Sequence, residues 1–371
     1  MKLHIFNPEH DIALASGLAN FTAPHAGRRL RADLGYLPAL WAAEGDCVLV
    51  ENAALARRTF GRLRARLGYH GDKGDHGAPA IPRFIETKQL DALKFDEVEP
   101  WGWDAALRTY LLRHGVKAVP TDKEIADIRD LSHRRHAAAM LRQLMADPAM
   151  LSAAMPGGDL GMYAVVAETL DDFHQQLRRH QRIVVKAPWS SSGRGVRFID
   201  RQLTAADEGW IRNVIARQGA VTVEPYYNKV KDFGMEFESI SGGCVRYLGL
   251  SLFDTRAGAY TGNIVAPEAD KREMLARYVA PQRLDTIALS VSHALGRIVG
   301  DRYRGPLGVD MMVIARTDGA EGFFVNPCVE INLRRTMGHV ALAIPESPDG
   351  KPRTMRIELT DKYRLRITST I

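Results

Sequence analysis

The sequence predicts a protein of the α/β and α+β classes, in which an N-terminal open α/β lobe precedes two mixed lobes. The chain has 371 residues, which exceeds what one hydrophobic core usually covers, so two or three packed lobes are expected. Apolar runs at Leu3–Phe6 and Cys47–Glu51 flank a helical pattern, as at the start of an open α/β lobe. After Pro148–Gly161, which breaks the helical pattern, short strands alternate with both helices and hairpins.

The N-terminal half is predicted to be mainly helical between its strands. A helix is expected around "LPALWAAEG", and the Gly- and Asp-rich stretch His70–Phe84 is expected to be a loop. Asp104 is predicted to cap the next helix. "TDKE", at Thr121–Glu124, has the pattern of a capping box, and we expect it to start one long helix that runs through "LRQLM".

The C-terminal half is predicted to contain most of the strands. Strands are expected in "MYAVVA", "RIVVKA", "AVTVEPYY", "LGVDMMVIA" and "GFFVNPCVEINLR". The stretch Asp232–Phe253 is expected to be a hairpin that turns at Gly242 and Gly243. A helix follows at Asp285–Val299, and "TMRIELTDKYRLRITSTI" is typical of a closing strand pair.

Composition and charge favour a globular protein that acts on small molecules. Apolar residues make up 46% of the chain and charged residues 25%, which is ordinary for globular proteins. The net charge is +6. Basic clusters such as "GRRLRADL" alternate with apolar residues at helical spacing, which favours solvated helix faces over nucleic-acid binding. The excess of Lys and Arg also suits anionic substrates.

The cysteines and the apolar segments predict a cytoplasmic protein that does not contact a membrane. Cys47, Cys244 and Cys328 are scattered, so neither a disulfide framework nor a zinc site is indicated. The apolar run that opens the chain is four residues long, too short for a signal peptide. No segment reaches the ~18 apolar residues that a membrane span requires.

The stretch "IVVKAPWSSSGRGVRFI" combines an apolar strand, a lysine and a glycine-rich turn. Lys186 ends the strand, so its stem is expected to pack and its ammonium group to reach outward. Small residues and glycines allow successive backbone N–H groups to point into one concavity that suits phosphate oxygens. An ordinary hairpin turn is an equal alternative. The turn consists of Ser190, Ser191, Ser192, Gly193, Arg194 and Gly195.

Three oxygen-bearing side chains interrupt two apolar strands further along the chain. Glu330 and Asn332 are two residues apart on a strand and therefore face the same side. With Asp310 from a neighbouring strand they provide hard oxygen ligands that suit Mg²⁺ carrying nucleotide phosphates. The alternative is a salt bridge from Glu330 to Arg334 or Arg335. The cost of placing three such groups in apolar strands without a cation favours the metal.

A third feature, "VTVEPYY", places Glu224 at the end of a strand, where Pro225 prevents a helix from following. Such a hinge can present backbone groups to the edge of an adenine ring. Asp232 or Glu236 could then accept hydrogen bonds from ribose hydroxyls. An E-P dipeptide alone more often marks a turn.

In this order and spacing, "VVKAPWSSSGRGV", "VTVEPYY", "GPLGVDMM" and "VEINLRR" resemble the motifs of the ATP-grasp superfamily. The resemblance covers roughly Arg129–Val340, and the combination is specific although each motif alone is not. It implies an N-terminal α/β lobe on the substrate side followed by a two-lobed ATP-grasp fold. The implied domains are residues 1–120 for the N-terminal lobe, 121–225 for the first ATP-grasp lobe with the glycine-rich loop, 226–345 for the second with the metal ligands, and 346–371 for a strand extension.

The resemblance also implies roles for individual residues. Lys186 resembles the lysine that contacts the adenine side and the α-phosphate, and the loop 190–195 resembles the lid over the β- and γ-phosphates. Glu224 matches the hinge position and Asp232 the ribose position. The remaining matches are Asp310, Glu330 and Asn332 to the magnesium ligands, Arg334 to an arginine that stabilises the phosphoryl group or acyl-phosphate, and Arg134 to a basic residue, commonly lysine, that binds phosphate.

The activity that the resemblance implies is ATP-dependent ligation of a small-molecule carboxylate to an amine or short peptide, with ADP and phosphate as products. The cofactors are then ATP and Mg²⁺, with Mn²⁺ as an alternative ion, and no nucleic acid is expected as a partner. A phosphotransferase of the same fold and a non-catalytic nucleotide-binding module are the alternatives, although the presence of all three oxygen ligands argues against the second.

Two polar stretches are candidates for the acceptor site. The loop "DTRAGAYTGNIVAP" follows a strand and has the Gly and Asn content of a loop near a cleft, and "NPEHD" and "NFTAPHAGRR" follow the first strand, at whose carboxyl end a crevice is expected. A simple hairpin connection and helix caps are the ordinary alternatives for these stretches. The candidate residues are Arg256, Tyr260, Asn263, His10 and Arg28.

Overall fold

A computed structural model describes residues 1–69, 79–158, 161, 163–190, 195–256, 259–317 and 321–369. The chain divides into two compact units. The first unit consists of Met1–Arg129, Thr261–Lys271 and Arg334–Ile371, and the second of Asp130–Tyr260 and Arg272–Leu333. The predicted combination of an open α/β part with α+β parts is confirmed by the order of the elements.

Strands and helices are interspersed along the described part of the chain. The strands are β1 Lys2–Ile5, β2 Cys47–Leu49, β3 Arg83–Ile85, β4 Glu97–Pro100, β5 Val165–Ala167, β6 Arg182–Lys186, β7 Val196–Asp200, β8 Val221–Pro225, β9 Lys229–Ser239, β10 Val245–Arg256, β11 Ala259–Val265, β12 Gly305–Ala315, β13 Phe323–Asn332, β14 Arg353–Leu359 and β15 Tyr363–Ser369. The helices are α1 His10–Ser16, α2 His25–Leu34, α3 Ala53–Arg66, α4 Ala105–Arg113, α5 Asp122–Leu131, α6 Arg135–Ala146, α7 Pro148–Ala154, α8 Leu170–Arg179, α9 Ala205–Gln218, α10 Glu268–Ala276, α11 Pro281–Val299 and α12 Met337–Ala343.

The first unit is built on a parallel sheet with strand order β3-β2-β1-β4. Leu3 is the register partner of both Cys47 and Val98. Leu3 packs in one apolar cluster with Leu111 of α4, while Phe60 of α3 belongs to a second cluster. Such parallel strands are buried on both faces, which explains their short apolar runs. The turn that leads to α1 begins at the carboxyl end of β1.

The first unit also contains the closing strand pair that was predicted. β14 pairs antiparallel with β15, and β11 pairs antiparallel with β14. The predicted cap of α4 is confirmed as well, because Oδ1 of Asp104 accepts a hydrogen bond of 2.9 Å from the N–H of Leu107. The capping box at Thr121 and Glu124 is also present, since the Thr121 N–H donates to Oε2 of Glu124 over 2.7 Å and the Glu124 N–H to Oγ1 of Thr121 over 3.3 Å.

Two helix predictions need correction. The stretch around "LPALWAAEG" forms only a short 3₁₀ helix, Leu37–Leu40. All four of its residues are buried, so it lacks the solvated face that an amphipathic helix has. The single long helix predicted after Thr121 is two helices, α5 and α6. The N–H of Arg134 donates to the carbonyl of Pro188 over 3.3 Å, and this tertiary bond interrupts the helix.

The second unit contains two antiparallel sheets. In the sheet with order β5-β8-β6-β7, the apolar side chains of β6 and β8 pack with Phe173 of α8 and Ile211 of α9. In the other sheet the strands lie in the order β13-β12-β9-β10, and α11 packs against β9 and β10. The predicted hairpin between β9 and β10 is confirmed, and Gly242 and Gly243 have φ values of 60° and 71°, which a type I′ turn requires.

Among the residues that the model describes, none of the helices combines the length and the apolar character that a membrane crossing requires.

Candidate functional site

The face of the β6–β8 sheet that points away from the helices carries a buried ion pair. Val184 of β6 lies opposite Glu224 of β8, and Lys186 lies opposite Thr222. Because side chains alternate along a strand, the apolar residues between them enter the helix-covered core, and these polar residues share the other face. Nζ of Lys186 lies 2.6 Å from Oε1 of Glu224, and each residue is 6% exposed. Strand pairing thus holds a cation at a set position.

Thr222 is a member of this face that the sequence analysis did not single out. It is 2% exposed, and its Oγ1 has no hydrogen-bond partner among the described residues. The signal that identifies it is the alternation in "VTVEP", where Val221 and Val223 are core residues and Thr222 and Glu224 lie between them. A buried hydroxyl in this position is available to a polar ligand.

The strands β12 and β13 bring the three predicted metal ligands together. Asp310 lies directly opposite Glu330, and Asn332 lies opposite Gly308, so that all three side chains share one face of the sheet. Nδ2 of Asn332 donates to Oδ2 of Asp310 over 3.3 Å. On the other side of Asp310 stands Gly234, where an added Cβ would come within 3.1 Å of a backbone oxygen. The glycine therefore keeps the surroundings of the carboxylate open.

Two further carboxylates lie on β9, which neighbours β12. Glu236 is opposite Gly308, faces the same side as Asp310, and is 3% exposed. Asp232 lies nearer the start of β9 and accepts hydrogen bonds from Nζ of Lys229 at 2.5 Å and from Oγ1 of Thr255 at 2.6 Å. The two residues considered for a ribose each lie two register positions from Asp310, and Asp232 is held by local partners.

Arg134 connects the two sheets of the second unit. Its Nε donates to the carbonyl of Ala187 over 2.9 Å, and its Nη2 lies 3.2 Å from Oγ of Ser190 and 2.8 Å from Oε1 of Glu330. Lys186 makes a second connection, since its Nζ lies 3.5 Å from the carbonyl of Val329 on β13. Glu330 therefore pairs with Arg134 rather than with either arginine that follows β13.

The glycine-rich turn is described only at its two ends. The carbonyl of Gly195 accepts a hydrogen bond of 2.8 Å from the N–H of Ala187, which closes the turn directly after Lys186. A Cβ at Gly195 would lie 2.3 Å from Cβ of Ser190, so the close approach requires glycine. The predicted phosphate-binding residues Ser191, Ser192, Gly193 and Arg194 lie outside the described residues.

The charges around the site act on its buried neighbours. Burial raises the pKa of the Cys328 thiol, and the nearby carboxylates of Glu224, Asp310 and Glu330 raise it further. The pKa of Tyr227 is raised by burial and then by Glu224. Lys186 acts in the opposite direction on Cys328, and both groups remain neutral beside these carboxylates.

The oxygen ligands fit a magnesium ion that also carries phosphates. In the described part of the chain no cluster of three His, Cys, Asp or Glu side chains could hold a metal. The candidate set differs, because it consists of two carboxylates, Asp310 and Glu330, and the amide of Asn332. Magnesium is commonly held by one or two carboxylates and completes its shell with water and substrate phosphates, so this donor set suits it.

Arg334, Arg335 and the candidate acceptor residue His10 lie in the first unit. Nε of Arg334 donates to both carboxylate oxygens of Asp11 over 3.0 Å. Nη2 of Arg335 donates to Glu99 over 3.0 Å. Nδ1 of His10 lies 3.5 Å from Oδ2 of Asp104, and His10 is 1% exposed.

The other candidate acceptor residues lie on α2, at the end of β10 and on β11. Asn263 lies on β11 opposite Met355, in the first unit, and is buried. Arg28 is exposed on α2. Tyr260 belongs to the second unit, and burial raises its pKa. Arg256 ends β10, and its side chain lies outside the described part of the chain.

No protein-family model matches the sequence, and no curated protein matches it either. Several solved structures are similar in fold. The N5-carboxyaminoimidazole synthetase of Staphylococcus aureus, complexed with ADP, is 14% identical with a TM-score of 0.46, over 96% of this chain and 82% of that chain.

Two other similar structures are a biotin carboxylase and a D-cycloserine synthetase. The biotin carboxylase of Campylobacter jejuni, in a β,γ-ATP complex, is 12% identical with a TM-score of 0.49, over 96% of this chain and 75% of that chain. The D-cycloserine synthetase is 14% identical with a TM-score of 0.45, over 80% of this chain and 96% of that chain. Similarity at this level does not identify an activity, which has to be inferred from the site.

Proposed function

We propose that the chain is an ATP-dependent ligase that activates a carboxylate as an acyl-phosphate and transfers the acyl group to an amine. The observation that carries the proposal is the set of contacts made by Arg134, which joins the end of β6 and Ser190 of the glycine-rich turn to Glu330. The end of the glycine-rich turn and one of the proposed magnesium ligands thus belong to one connected network with β6 in the second unit.

In this proposal the sheet that contains β6 and the sheet that contains β12 and β13 bind different parts of MgATP. On β6, Lys186 would contact the α-phosphate of ATP, and Glu224 would orient its ammonium group. On the other sheet Asp310, Glu330 and Asn332 would hold magnesium, which neutralises charge on the β- and γ-phosphates. Arg134 would donate to phosphate oxygens through the same guanidinium group that now contacts Ser190 and Glu330.

The chemistry requires positioning and charge neutralisation rather than a strong base. A carboxylate oxygen attacks the γ-phosphorus, the bond between that phosphorus and the β,γ-bridging oxygen breaks, and ADP leaves. The amine nitrogen then attacks the acyl carbon, the bond between that carbon and the phosphate oxygen breaks, and phosphate leaves. The proton that the amine loses passes to the leaving phosphate or to water. Arg334 is proposed to stabilise the phosphoryl group or the acyl-phosphate. Because an acyl-phosphate hydrolyses, exclusion of water by the glycine-rich turn would protect it.

The proposed substrates are a small-molecule carboxylate and an amine or short peptide. Tyr260, Asn263, Arg256, His10 and Arg28 remain the candidates for contact with them. A cytoplasmic location fits a reaction that consumes ATP, and Mn²⁺ is the expected substitute for Mg²⁺, because both ions prefer oxygen ligands.

The test is ATP turnover with Mg²⁺ against a panel of carboxylates, amino acids and short peptides, with ADP separated from AMP. ADP and phosphate that form only when a carboxylate and an amine are both present support the ligase. The signal should disappear in Glu330→Ala and persist in Glu238→Ala, because Glu238 forms an exposed pair with Arg246 on β10. AMP and pyrophosphate would contradict acyl-phosphate chemistry. A stable phosphorylated product that needs no amine would instead identify a phosphotransferase.

A further inference from the structure

In the first unit, a cavity of about 360 Å³ lies between α3 and β15. Phe60 and Leu63 of α3 and Leu365 of β15 are buried in one apolar cluster, which fixes the helix against the strand. Leu63 and Leu365 also line the cavity, together with Val50 and Leu55. The volume is within the range of about 300–1,000 Å³ that is typical of small-molecule sites.

The side chains that line this cavity carry an excess of positive charge. Asp33 and Glu51 are the acidic ones, and Asp33 accepts a hydrogen bond of 2.8 Å from the N–H of Tyr363. Arg62, Arg66 and Lys362 form no ion pair with any residue that the structure describes. The basic residues of the lining are Arg62, Arg66, Lys362, Arg364 and Arg366.

A second cavity of about 280 Å³ shares Leu63, Arg66 and Leu365 with the first. Its lining includes Arg353 of β14, which is 9% exposed. One of its terminal nitrogens donates to the carbonyl of Pro345, while Nε has no hydrogen-bond partner among the described residues. The second cavity therefore contains a buried guanidinium group with an unused donor.

Arg364, in the wall of the first cavity, also has an unused donor, although its side chain as a whole is 39% exposed. Its Nη2 pairs with Asp361 at 2.6 Å, whereas its buried Nε finds no acceptor within the described ranges. Buried donors are nearly always hydrogen-bonded in folded proteins. An anionic ligand would supply acceptors to both arginines, and Arg66 lies where the two cavities meet.

We propose that these joined cavities bind a small organic bisphosphate. One phosphate group would lie in the first cavity between Arg62, Arg66 and Arg364, and the other in the second cavity near Arg353. Guanidinium groups bind phosphate through paired N–H donors, and the apolar residues of the lining suit the carbon body of the ligand. Two small cavities with defined walls favour a small molecule over the extended basic stripe that a nucleic acid requires.

The experiment is calorimetric titration with fructose 1,6-bisphosphate, 2,3-bisphosphoglycerate and adenosine 3′,5′-bisphosphate, each compared with its monophosphate and unphosphorylated forms. At least one bisphosphate should bind, and removal of either phosphate should weaken it. In Arg62→Gln/Arg66→Gln the affinity should fall at least tenfold. The control Arg57→Gln/Arg58→Gln changes the same helix by the same charge at exposed positions outside both linings, and its affinity should stay within twofold.

Any one of the following results would overturn the proposal. The first is that no bisphosphate binds at millimolar concentration, and the second is that the two double variants lose affinity equally, which would indicate nonspecific charge. The third is tighter binding of a single-stranded oligonucleotide with a steep salt dependence. Binding should also persist in Lys186→Met; loss there would place the probe at the proposed nucleotide site and contradict the cavity. Thermal unfolding of each variant verifies that it is folded.

Discussion

The network around Lys186 in the second unit and the basic cavities in the first unit differ in whether their cations have carboxylate partners. In the second unit Lys186 and Arg134 are buried, and each has a carboxylate within 2.8 Å. In the first unit Arg62, Arg66 and Lys362 line a cavity and pair with none of the described carboxylates. Both regions are rich in cations, but Lys186 and Arg134 each have a carboxylate partner, whereas three of the cations that line the cavity pair with none of the described carboxylates.

This difference in charge pairing indicates how each region would respond to a ligand. A buried ion pair between neighbouring strands has its geometry set by the sheet, so its charges are positioned before a substrate arrives. The cations on α3 and in the turn before β15 have no carboxylate partner among the described residues, so they repel one another. An anion that binds between them would reduce this repulsion. The first arrangement is typical of a catalytic site, and the second of a binding site.

The largest expected effect comes from breaking the buried pair of Lys186 and Glu224. Glu224→Leu should reduce the free energy of unfolding by about 3–5 kcal/mol, because it leaves a buried ammonium group without its partner. The double variant Lys186→Met/Glu224→Leu should recover most of this loss. Urea unfolding measures both. The same cycle on the exposed pair of Arg246 and Glu238 should give less than about 1 kcal/mol; an equal cost for both pairs would contradict the comparison.

The second effect concerns ATP turnover in Glu330→Gln. The amide keeps the shape of the side chain but removes the charge that would hold magnesium and that pairs with Arg134. We expect turnover to ADP to fall about 100-fold, with the unfolding transition retained. Glu238→Gln is the matched control and should keep turnover within about twofold. Turnover that is unchanged in Glu330→Gln would remove Glu330 from the site.

An effect of similar size is expected from pH through His136, on α6 near Arg134. Burial, together with the charges of Arg135 and Arg302, lowers the pKa of His136 to about 4. Asp130, which lies 3.4 Å from its Nε2, already pairs with both arginines. The folded chain thus favours neutral His136, so stability is present above pH ~6.5 and falls as pH drops toward 4.

The measurement for His136 is the free energy of unfolding against pH. Between pH ~6.5 and 4, His136→Gln should show a shallower loss of stability than the unaltered chain, by up to about 3 kcal/mol at the acid end. His174 on α8 offers a control position, since it lies outside this cluster. Parallel curves for the unaltered chain and His136→Gln would show that His136 titrates with the same pKa in both states.

The smallest of these effects is expected at the glycine-rich turn. Gly195→Ala would place a Cβ 2.3 Å from Cβ of Ser190, so the turn must shift and the affinity for ATP should fall about tenfold. Gly209→Ala in α9 is the control, because an added Cβ there meets no atom within 4 Å and alanine is favoured in a helix. Equal affinities in both variants would show that the turn does not contact the nucleotide.

Sequence reasoning succeeded where local pattern decides the structure. The cap at Asp104, the turn at Gly242 and Gly243 and the closing strand pair follow from short-range rules. The side that Glu330 and Asn332 share also follows from alternation along a strand. Their opposition to Asp310 depends on the register between two strands, which spacing alone does not provide.

Tertiary contacts explain the features that the spacing of residues in the sequence did not predict. The bond from the Arg134 N–H to Pro188 breaks a helical pattern that the sequence shows as continuous. The partner of Glu330 is Arg134, which is distant in sequence, whereas the adjacent Arg334 and Arg335 bind Asp11 and Glu99. Charge pairing between distant segments follows from folding and leaves no periodic signal.

The most direct test of the central claim, that the second unit holds MgATP, is calorimetric titration of ATP with and without Mg²⁺. We predict binding that strengthens with Mg²⁺ in the unaltered chain, loses at least tenfold in affinity in Lys186→Met, and loses its dependence on Mg²⁺ in Glu330→Gln. Binding of ATP that is equal in all three proteins, or that ignores Mg²⁺ throughout, would contradict the claim.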